Sequence, residues 1–305
     1  MKKKILVTFG ILFGVLFLAT AAYGYYIYNS VTETASQIHE PLEREQSSKR
    51  VEQVKVEEKD PISFLLAGVD SRGDNHSGRS DTLIVMTVNP NDESIKMLSI
   101  PRDTRTEIIG RGHDDKINHA YAFGGVQMTI DTVENLLDIP IDHYVSINME
   151  GFTGIIDALG GVAVTNDLEF NYGSRHHFPV GELYLDGDSA LAFSRMRKDD
   201  PRGDFGRNDR QRQIVEAVIQ EAAQISSITR AGDMLNVVGN SVRTDLTLED
   251  MWKVQSNYRN ARHSIEQMEI NGSGTTINGI YYLLVSDEER YRVSSNLRSH
   301  LGLDS

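Results

Sequence analysis

Three lysines, Lys2 to Lys4, precede an uncharged run from Ile5 to Tyr28, and this opening decides where the rest of the chain folds. A helix rises 1.5 Å per residue, so about 20 apolar residues cross a hydrocarbon core ~30 Å thick. Tyr23, Tyr25, Tyr26 and Tyr28 cluster at the far end, where an aromatic belt sits. Lysines before the run and none close after it place the N-terminus in the cytoplasm. Ala19-Thr20-Ala21 has the small residues of a cleavage site, but the apolar run continues past it, which suits an anchor better than a removed leader. The expectation is a cytoplasmic tail at 1–4, a transmembrane signal-anchor at 5–28, and everything after it outside: a single-pass type II membrane protein.

An exported chain with no cysteine must be held by its own core rather than by disulfides. Residues 29–60 are polar and charge-dense and read as a solvated extracellular linker. The remaining 61–305 suffice for one large domain with a single core. The net charge of −13 argues against nucleic acid as a partner, which favours a basic surface.

From Pro61 the pattern is α/β. Ile62–Gly68 and Thr82–Asn89 are apolar runs read as strands, and Ser94–Ile100 alternates as the partner of the second across an Asn-Pro-Asn-Asp turn. Further strands are expected at His143–Ile147 and Ser264–Ile270. Helices are expected over Met128–Leu137, Phe152–Leu159 before Gly160-Gly161, Ser189–Met196, Asn208–Ile225 and Asp287–Leu301, with a capping box at Thr247-Leu-Glu-Asp250 opening another. Strands alternating with helices imply a central sheet covered on both faces, and the early hairpin makes it mixed.

The chemistry is concentrated in short motifs rich in arginine and aspartate. Asp70 follows the first strand and Asp81 opens the second, so two carboxylates flank one loop and can share a divalent cation whose other positions are filled by phosphate oxygens and water. Gly73 to Ser80 imitates a nucleotide P-loop, but that motif must open a helix, and here a strand follows. Arg102 and Asp103 emerge after the third strand, with Arg105, and Lys116 follows. Arg195 and Arg197 end a short helix. Arg207, Arg210 and Gln211 then share one face at the start of a long helix, where adjacent arginines repel unless an anion lies between them. Arginine forks suit phosphate oxygens. Together the residues point to phosphoryl chemistry on a membrane-borne pyrophosphate. The histidines at 113, 119, 176 and 177 have no recognisable zinc spacing.

Seven ordered segments carry a resemblance: Gly68-Val-Asp-Ser-Arg72, Arg79-Ser-Asp-Thr82, Ser99-Ile-Pro-Arg-Asp-Thr104, Lys116-Ile-Asn-His-Ala-Tyr121, Asp157-Ala-Leu-Gly-Gly-Val162, Ala190-Leu-Ala-Phe-Ser-Arg-Met-Arg197 and Asp204-Phe-Gly-Arg-Asn-Asp-Arg-Gln211. In this order, over about residues 60–225, the chain resembles the LytR-CpsA-Psr family. The resemblance implies an α/β/α sandwich with a deep apolar lipid pocket. It also implies transfer of an anionic polymer, wall teichoic acid, from a polyprenyl-pyrophosphate carrier to peptidoglycan in a Gram-positive-type envelope. Residue by residue it implies Mg²⁺ (or Mn²⁺) on Asp70 and Asp81, and pyrophosphate contacts from Arg79, Arg102, Arg195, Arg197, Arg207 and Gln211, with Arg72, Arg105, Lys116 and Arg210 nearby. Arg102 and Arg207 are the expected catalytic arginines, and Asp103 is the candidate general base. A phosphatase acting on the same lipid, and a non-catalytic lipid-binding regulator of envelope assembly, are the alternative classes.

Overall fold

The computed structural model describes residues 22–71, 78–222 and 231–303. Fourteen strands and eight helices are placed among them. A helix over 22–38 (α1) leads into β1 (Ile62–Val69), β2 (Ser80–Asn89) and β3 (Ser94–Ser99). A hairpin of β4 (Arg105–Ile108) and β5 (His113–Lys116) precedes α2 (His119–Leu137), β6 (His143–Ile147) and α3 (Met149–Leu159). Two small ribbons follow: β7 (Val162–Asn166) pairs with β10 (Gly181–Leu185), and β8 (Phe170–Tyr172) with β9 (His176–Phe178). Then come α4 (Gly187–Arg195), α5 (Asp204–Ala222), α6 (Ala231–Ser241), β11 (Val242–Thr244) and α7 (Leu248–Tyr258). The last elements are β12 (Ile265–Glu269), the hairpin β13 (Ser273–Ile277) and β14 (Ile280–Leu284), and α8 (Asp287–His300).

The six-stranded sheet runs β11-β6-β1-β2-β3-β12. β1 is parallel to β6 and antiparallel to β2, and β12 is parallel to β3, so the sheet is mixed as expected. Its two faces follow from the period of two along each strand. Leu65, Ala67 and Val69 pack with Ile130 and Val133 of α2 and Val293 and Leu297 of α8. Ile62, Phe64 and Leu66 face the other way, toward Val215 of α5 and Met251, Val254 and Tyr258 of α7. A satellite core joins α3, α4 and α5 to the ribbons, with Phe170, Phe178 and Phe193 at its centre. The expected capping box is formed: Thr247 Oγ1 accepts from Asp250 N, and the Asp250 carboxylate accepts from Thr247 N.

The linker expectation needs correction. Much of 29–60 lies on the domain instead of in solvent. Ala35, Ile38 and Val56 are buried, and Leu42 packs on the main core. Arg44 grips Glu134 with both terminal nitrogens, at 2.7 and 2.8 Å, and Arg50 holds Asp142 at 2.6 and 2.9 Å. Glu134 and Asp142 come from the domain, so these polar residues are interface, not stalk. Most of the expected anchor at 5–28 lies outside the described residues; within them, no helix is long and apolar enough to cross a membrane.

Candidate functional site

At the carboxyl end of β1 three neighbouring strands open a cavity of about 340 Å³. Leu66 to Asp70 of β1 and its exit, Asp81, Thr82 and Ile84 of β2, and Ile147 of β6 form one wall; Gly68 is the register partner of both Thr82 and Ile147. Gly68 fits tightly there, since a Cβ would lie 3.0 Å from that of Thr82. Met149 and Phe152 of α3, Leu191 and Arg195 of α4, and Arg207, Gln211 and Val215 of α5 form the opposite wall. The lining thus sorts by chemistry. Leu66, Ile84, Ile147, Phe152, Leu191 and Val215 are apolar, whereas Asp70, Asp81, Arg195, Arg207 and Gln211 carry charge or hydrogen-bonding groups.

A charged network backs the polar part. Arg102 Nη1 lies 3.0 Å from Asp81 Oδ2, and Asn118 Nδ2 donates to Asp81 Oδ1 at 3.4 Å. Asp103 Oδ1 accepts from Lys116 Nζ at 2.6 Å, and its Oδ2 is 4.0 Å from Arg102 Nε. On the α5 side, Asp204 pairs with both Arg207 at 2.9 Å and Arg197 at 3.4 Å. Burial pushes the Arg207 guanidinium below its ordinary value; Asp204 and Asp81 pull it back, while Arg102 and Arg197 push it further down. These influences place Arg102, Arg197 and Arg207 around one region. Burial also pushes Arg102 down, but Asp81, Asp204 and Asp103 outweigh it and leave Arg102 raised. Arg207 Nε is buried with no hydrogen-bond partner among the described residues.

Of the residues singled out in the sequence, Asp70, Asp81, Arg195, Arg207 and Gln211 line the cavity, and Arg102, Arg197, Asp103 and Lys116 stand behind or beside it. Arg79 is exposed, its backbone oxygen accepting from Asp70 N at 3.0 Å. Arg105 pairs with Asp114 at 2.7 Å on the β4–β5 hairpin. Arg72 lies outside the described residues. The P-loop likeness fails structurally, because Ser80 opens β2 and not a helix.

Arg210 requires a correction. It is 3% exposed, Nη1 donates to Asp200 at 2.7 Å, Nη2 donates to Met196 O at 2.6 Å, and the fork lies over Phe170. It closes the satellite core rather than joining Arg207 on an anion. The expected pair on α5 is therefore not formed; the cations that act on Arg207 are Arg102 and Arg197, whose repulsion Asp204, paired with both Arg197 and Arg207, partly offsets. Sequence reasoning also missed Asn148, Met149, Phe152, Tyr172 and Ser194 of the lining. Asn148, Met149 and Phe152 come from the start of α3, before the ribbons, and Tyr172 and Ser194 from the ribbons and α4, so tertiary packing rather than a local motif brings them together.

The donor set suits a hard divalent cation: Asp70 and Asp81 bring carboxylate oxygens to one cavity, and Asp70 has no side-chain partner among the described residues. Two carboxylates do not form a complete cage, and among the described residues no group of three or more His, Cys, Asp or Glu could hold a metal. The remaining ligands would have to come from substrate and water.

The profile of the LytR_cpsA_psr family matches residues 25–299. A protein of Halalkalibacterium halodurans named polyisoprenyl-teichoic acid–peptidoglycan teichoic acid transferase TagU is 63% identical over 303 residues, covering 99% of each chain. The crystal structure of B. subtilis TagU superposes with a TM-score of 0.66 at 49% identity, over 81% of this chain and 99% of that one. TagT bound to LIIa-WTA superposes with a TM-score of 0.76 at 33% identity, over 87% of this chain and all (100%) of that one. The ordered motifs, the mixed sheet and the match across nearly the whole chain together make this protein a member of the LytR-CpsA-Psr family.

Proposed function

We propose that this protein transfers an anionic wall polymer, wall teichoic acid, from its polyprenyl-pyrophosphate carrier to peptidoglycan and releases polyprenyl phosphate. The observation that carries this reading is the two-zone cavity: one space offers an apolar lining and, against it, arginines and carboxylates. An isoprenoid chain with a pyrophosphate head has the same two zones. Burying the chain contributes about 0.8 kcal/mol per CH₂. The names of close relatives agree with that donor and acceptor.

Arg195 and Arg207 would bind the pyrophosphate oxygens, with Arg102 and Arg197 adding positive charge from the rim. A sugar hydroxyl of peptidoglycan attacks the phosphorus nearest the polymer. A new sugar–oxygen–phosphorus linkage forms, the bridging P–O bond to the lipid phosphate breaks, and the hydroxyl proton passes to a base. Arginines fixed by Asp81 and Asp204 are oriented before the charge develops, so catalysis is mostly positioning and charge neutralisation. Asp70 and Asp81 would hold Mg²⁺ or Mn²⁺, which when bound supplies further neutralisation of the phosphate oxygens. Asp103 is already held by Lys116 and does not itself line the cavity, so a base role for it requires rearrangement. Anchoring by residues 5–28, with the domain outside the cell membrane, puts the cavity in the compartment of both substrates.

The decisive assay supplies a polyprenyl-pyrophosphate polymer and a peptidoglycan oligomer to the purified protein. Polymer joined covalently to the oligomer, with equimolar polyprenyl phosphate, supports transfer. Release of free phosphorylated polymer at the same rate without acceptor would instead mark a phosphatase, and donor binding with no turnover a regulator. Metal retention is read separately: Mn²⁺ bound in the donor complex, followed by electron paramagnetic resonance, should be lost in Asp81→Asn.

A further inference from the structure

The outer face of α7 carries the chain's single tryptophan, Trp252, 60% exposed. Leu248, Trp252, Gln255 and Ser256 follow at helical spacing on this outer stripe, while Met251, Val254 and Tyr258 point into the core. Tyr28 of α1 lines the same groove, together with Glu249 and Lys253 of α7. Tyr28 is where the apolar run beginning at Ile5 ends, and Tyr23, Tyr25 and Tyr26, all exposed, stand on the preceding turns.

The two elements are held together. α1 runs into a bridge between His39 and Thr244 of β11, Gln37 donates to Asn240 at 3.0 Å, and β11 leads directly into α7. Of the nearby charges, Lys253 pairs with Glu249 at 2.8 Å and with Glu57, both of which stay exposed. An exposed tryptophan beside a cluster of exposed tyrosines, with the paired charges set around them, is the composition of a surface at the level of lipid headgroups. Such rings place an apolar body in the boundary region and a polar N–H or O–H toward water.

We propose that the α7 stripe around Trp252, together with the Tyr23–Tyr28 turns, rests in the headgroup layer of the bilayer that holds the N-terminal segment. The domain is then docked on the membrane and not suspended above it. Docking here has a consequence for the site. Met251 and Val254 on the inner face of α7 pack on the same core cluster as Leu66 and Val215, which also line the cavity. The membrane contact and the cavity therefore lie over the same face of the sheet, with α7 toward the start of β1 and the cavity at its carboxyl end.

The inference rests on the reading of residues 5–28 as an anchor, and the test separates the two. The full-length protein is placed in phosphatidylcholine–phosphatidylglycerol vesicles, and alkaline extraction first establishes insertion; loss of the protein at that step refutes the anchor. With insertion established, the lone tryptophan is the probe. Its emission should move to shorter wavelength than in the domain free of lipid, be quenched by lipids brominated near the headgroup, and resist iodide in the aqueous phase. Emission unchanged by vesicles and fully open to iodide, with the anchor inserted, would overturn docking. So would a shift that follows protein density but ignores brominated lipid, which would assign the stripe to a second copy of the chain. Trp252→Ala supplies the functional arm: it should lose turnover on vesicle-embedded donor yet keep wild-type turnover on detergent-dispersed donor. Equal turnover on both donors would also count against the docked surface.

Discussion

Arg207 and Arg210 lie one turn apart on the same helix and are buried to nearly the same degree, 7% and 3% exposed, but their surroundings have opposite designs. The guanidinium of Arg210 is enclosed by protein: a carboxylate, a carbonyl and two aromatic rings. Arg207 has one carboxylate, shared with Arg197, and a cavity. Both leave Nε without a partner, so an orphaned donor alone does not separate structure from function. The separating feature is where the remaining capacity opens. Burial pushes Arg207 down and Arg102 and Arg197 add to it, a tension that an anion in the cavity relieves.

The largest expected effect tests the closed half of this comparison. Arg210→Ala leaves Asp200, 5% exposed, without its buried cation. Breaking such a pair costs about 3–5 kcal/mol. A denaturant melt should show that loss whether or not donor lipid is present, and molecules still folded should retain the lipid-induced stabilisation. Unchanged stability would place Arg210 with the ligand after all.

The open half is tested by Arg207→Ala. Removing one preorganised donor to developing charge costs about 10²–10³ in turnover, or roughly 2.7–4 kcal/mol. The melting temperature without lipid should stay close to wild type, because Asp204 keeps Arg197, and the shift on adding donor should vanish. Arg207→Lys should restore only part of the activity, since a point charge cannot make the bidentate contact. A large stability loss with an intact donor-induced shift would make Arg207 a second Arg210.

The sequence could not draw this line, and the reason is local. An i,i+3 spacing puts two Cβ atoms on one face but does not fix where two long side chains end. Arg210 is drawn aside by Asp200, which reaches α5 only because residue 206 is glycine: a Cβ there would stand 1.8 Å from Asp200 Oδ2. The central strands were readable because each is an apolar or alternating run. β7 to β10 were not, being three to five residues each with their partners set by tertiary contact. The 29–60 segment misled by composition, for its arginines meet Glu134 and Asp142, about 90 positions away, and no local pattern announces such pairs.

A neutral buried group extends the comparison to pH. His300 is enclosed, with Nδ1 at 2.7 Å from Thr87 Oγ1 and Nε2 at 2.9 Å from Ser94 Oγ. Burial, with Lys96 adding to it, pushes the imidazole down from 6.5 to about 4. The unfolded chain therefore takes up a proton first as pH falls. Stability is fully present above about 6.5 and is lost as pH falls from there toward 4. The slope approaches about 1.4 kcal/mol per unit, for a total of roughly 3 kcal/mol. Urea melts at pH 7, 5.5 and 4.5 should show the fall, and His300→Gln should flatten its contribution; an unchanged slope in that variant would remove His300 from the account.

The smallest expected effect belongs to a third arginine, Arg202, in the turn just before α5. Arg202 reaches Asp200 at 3.5 Å and Asp209 at 3.3 Å, so by contacts alone it resembles Arg210. Its side chain is 51% exposed, however, and solvent screens both pairs. Exposed pairs contribute about 0–1 kcal/mol. Asp200 does not depend on it, because Arg210 and the backbone N–H of residue 202 both donate to that carboxylate, and the N–H survives truncation. Arg202→Ala should accordingly change stability by less than about 1 kcal/mol and leave turnover near wild type. The pair Arg202→Ala and Arg210→Ala removes a guanidinium from the same Asp200, so the difference between their melts isolates burial from charge. Equal losses would mean that the Asp200 charge itself, and not enclosure in the satellite core, sets the energetics of the arginines paired with it, and the distinction between the open and closed sides of α5 would fail with it.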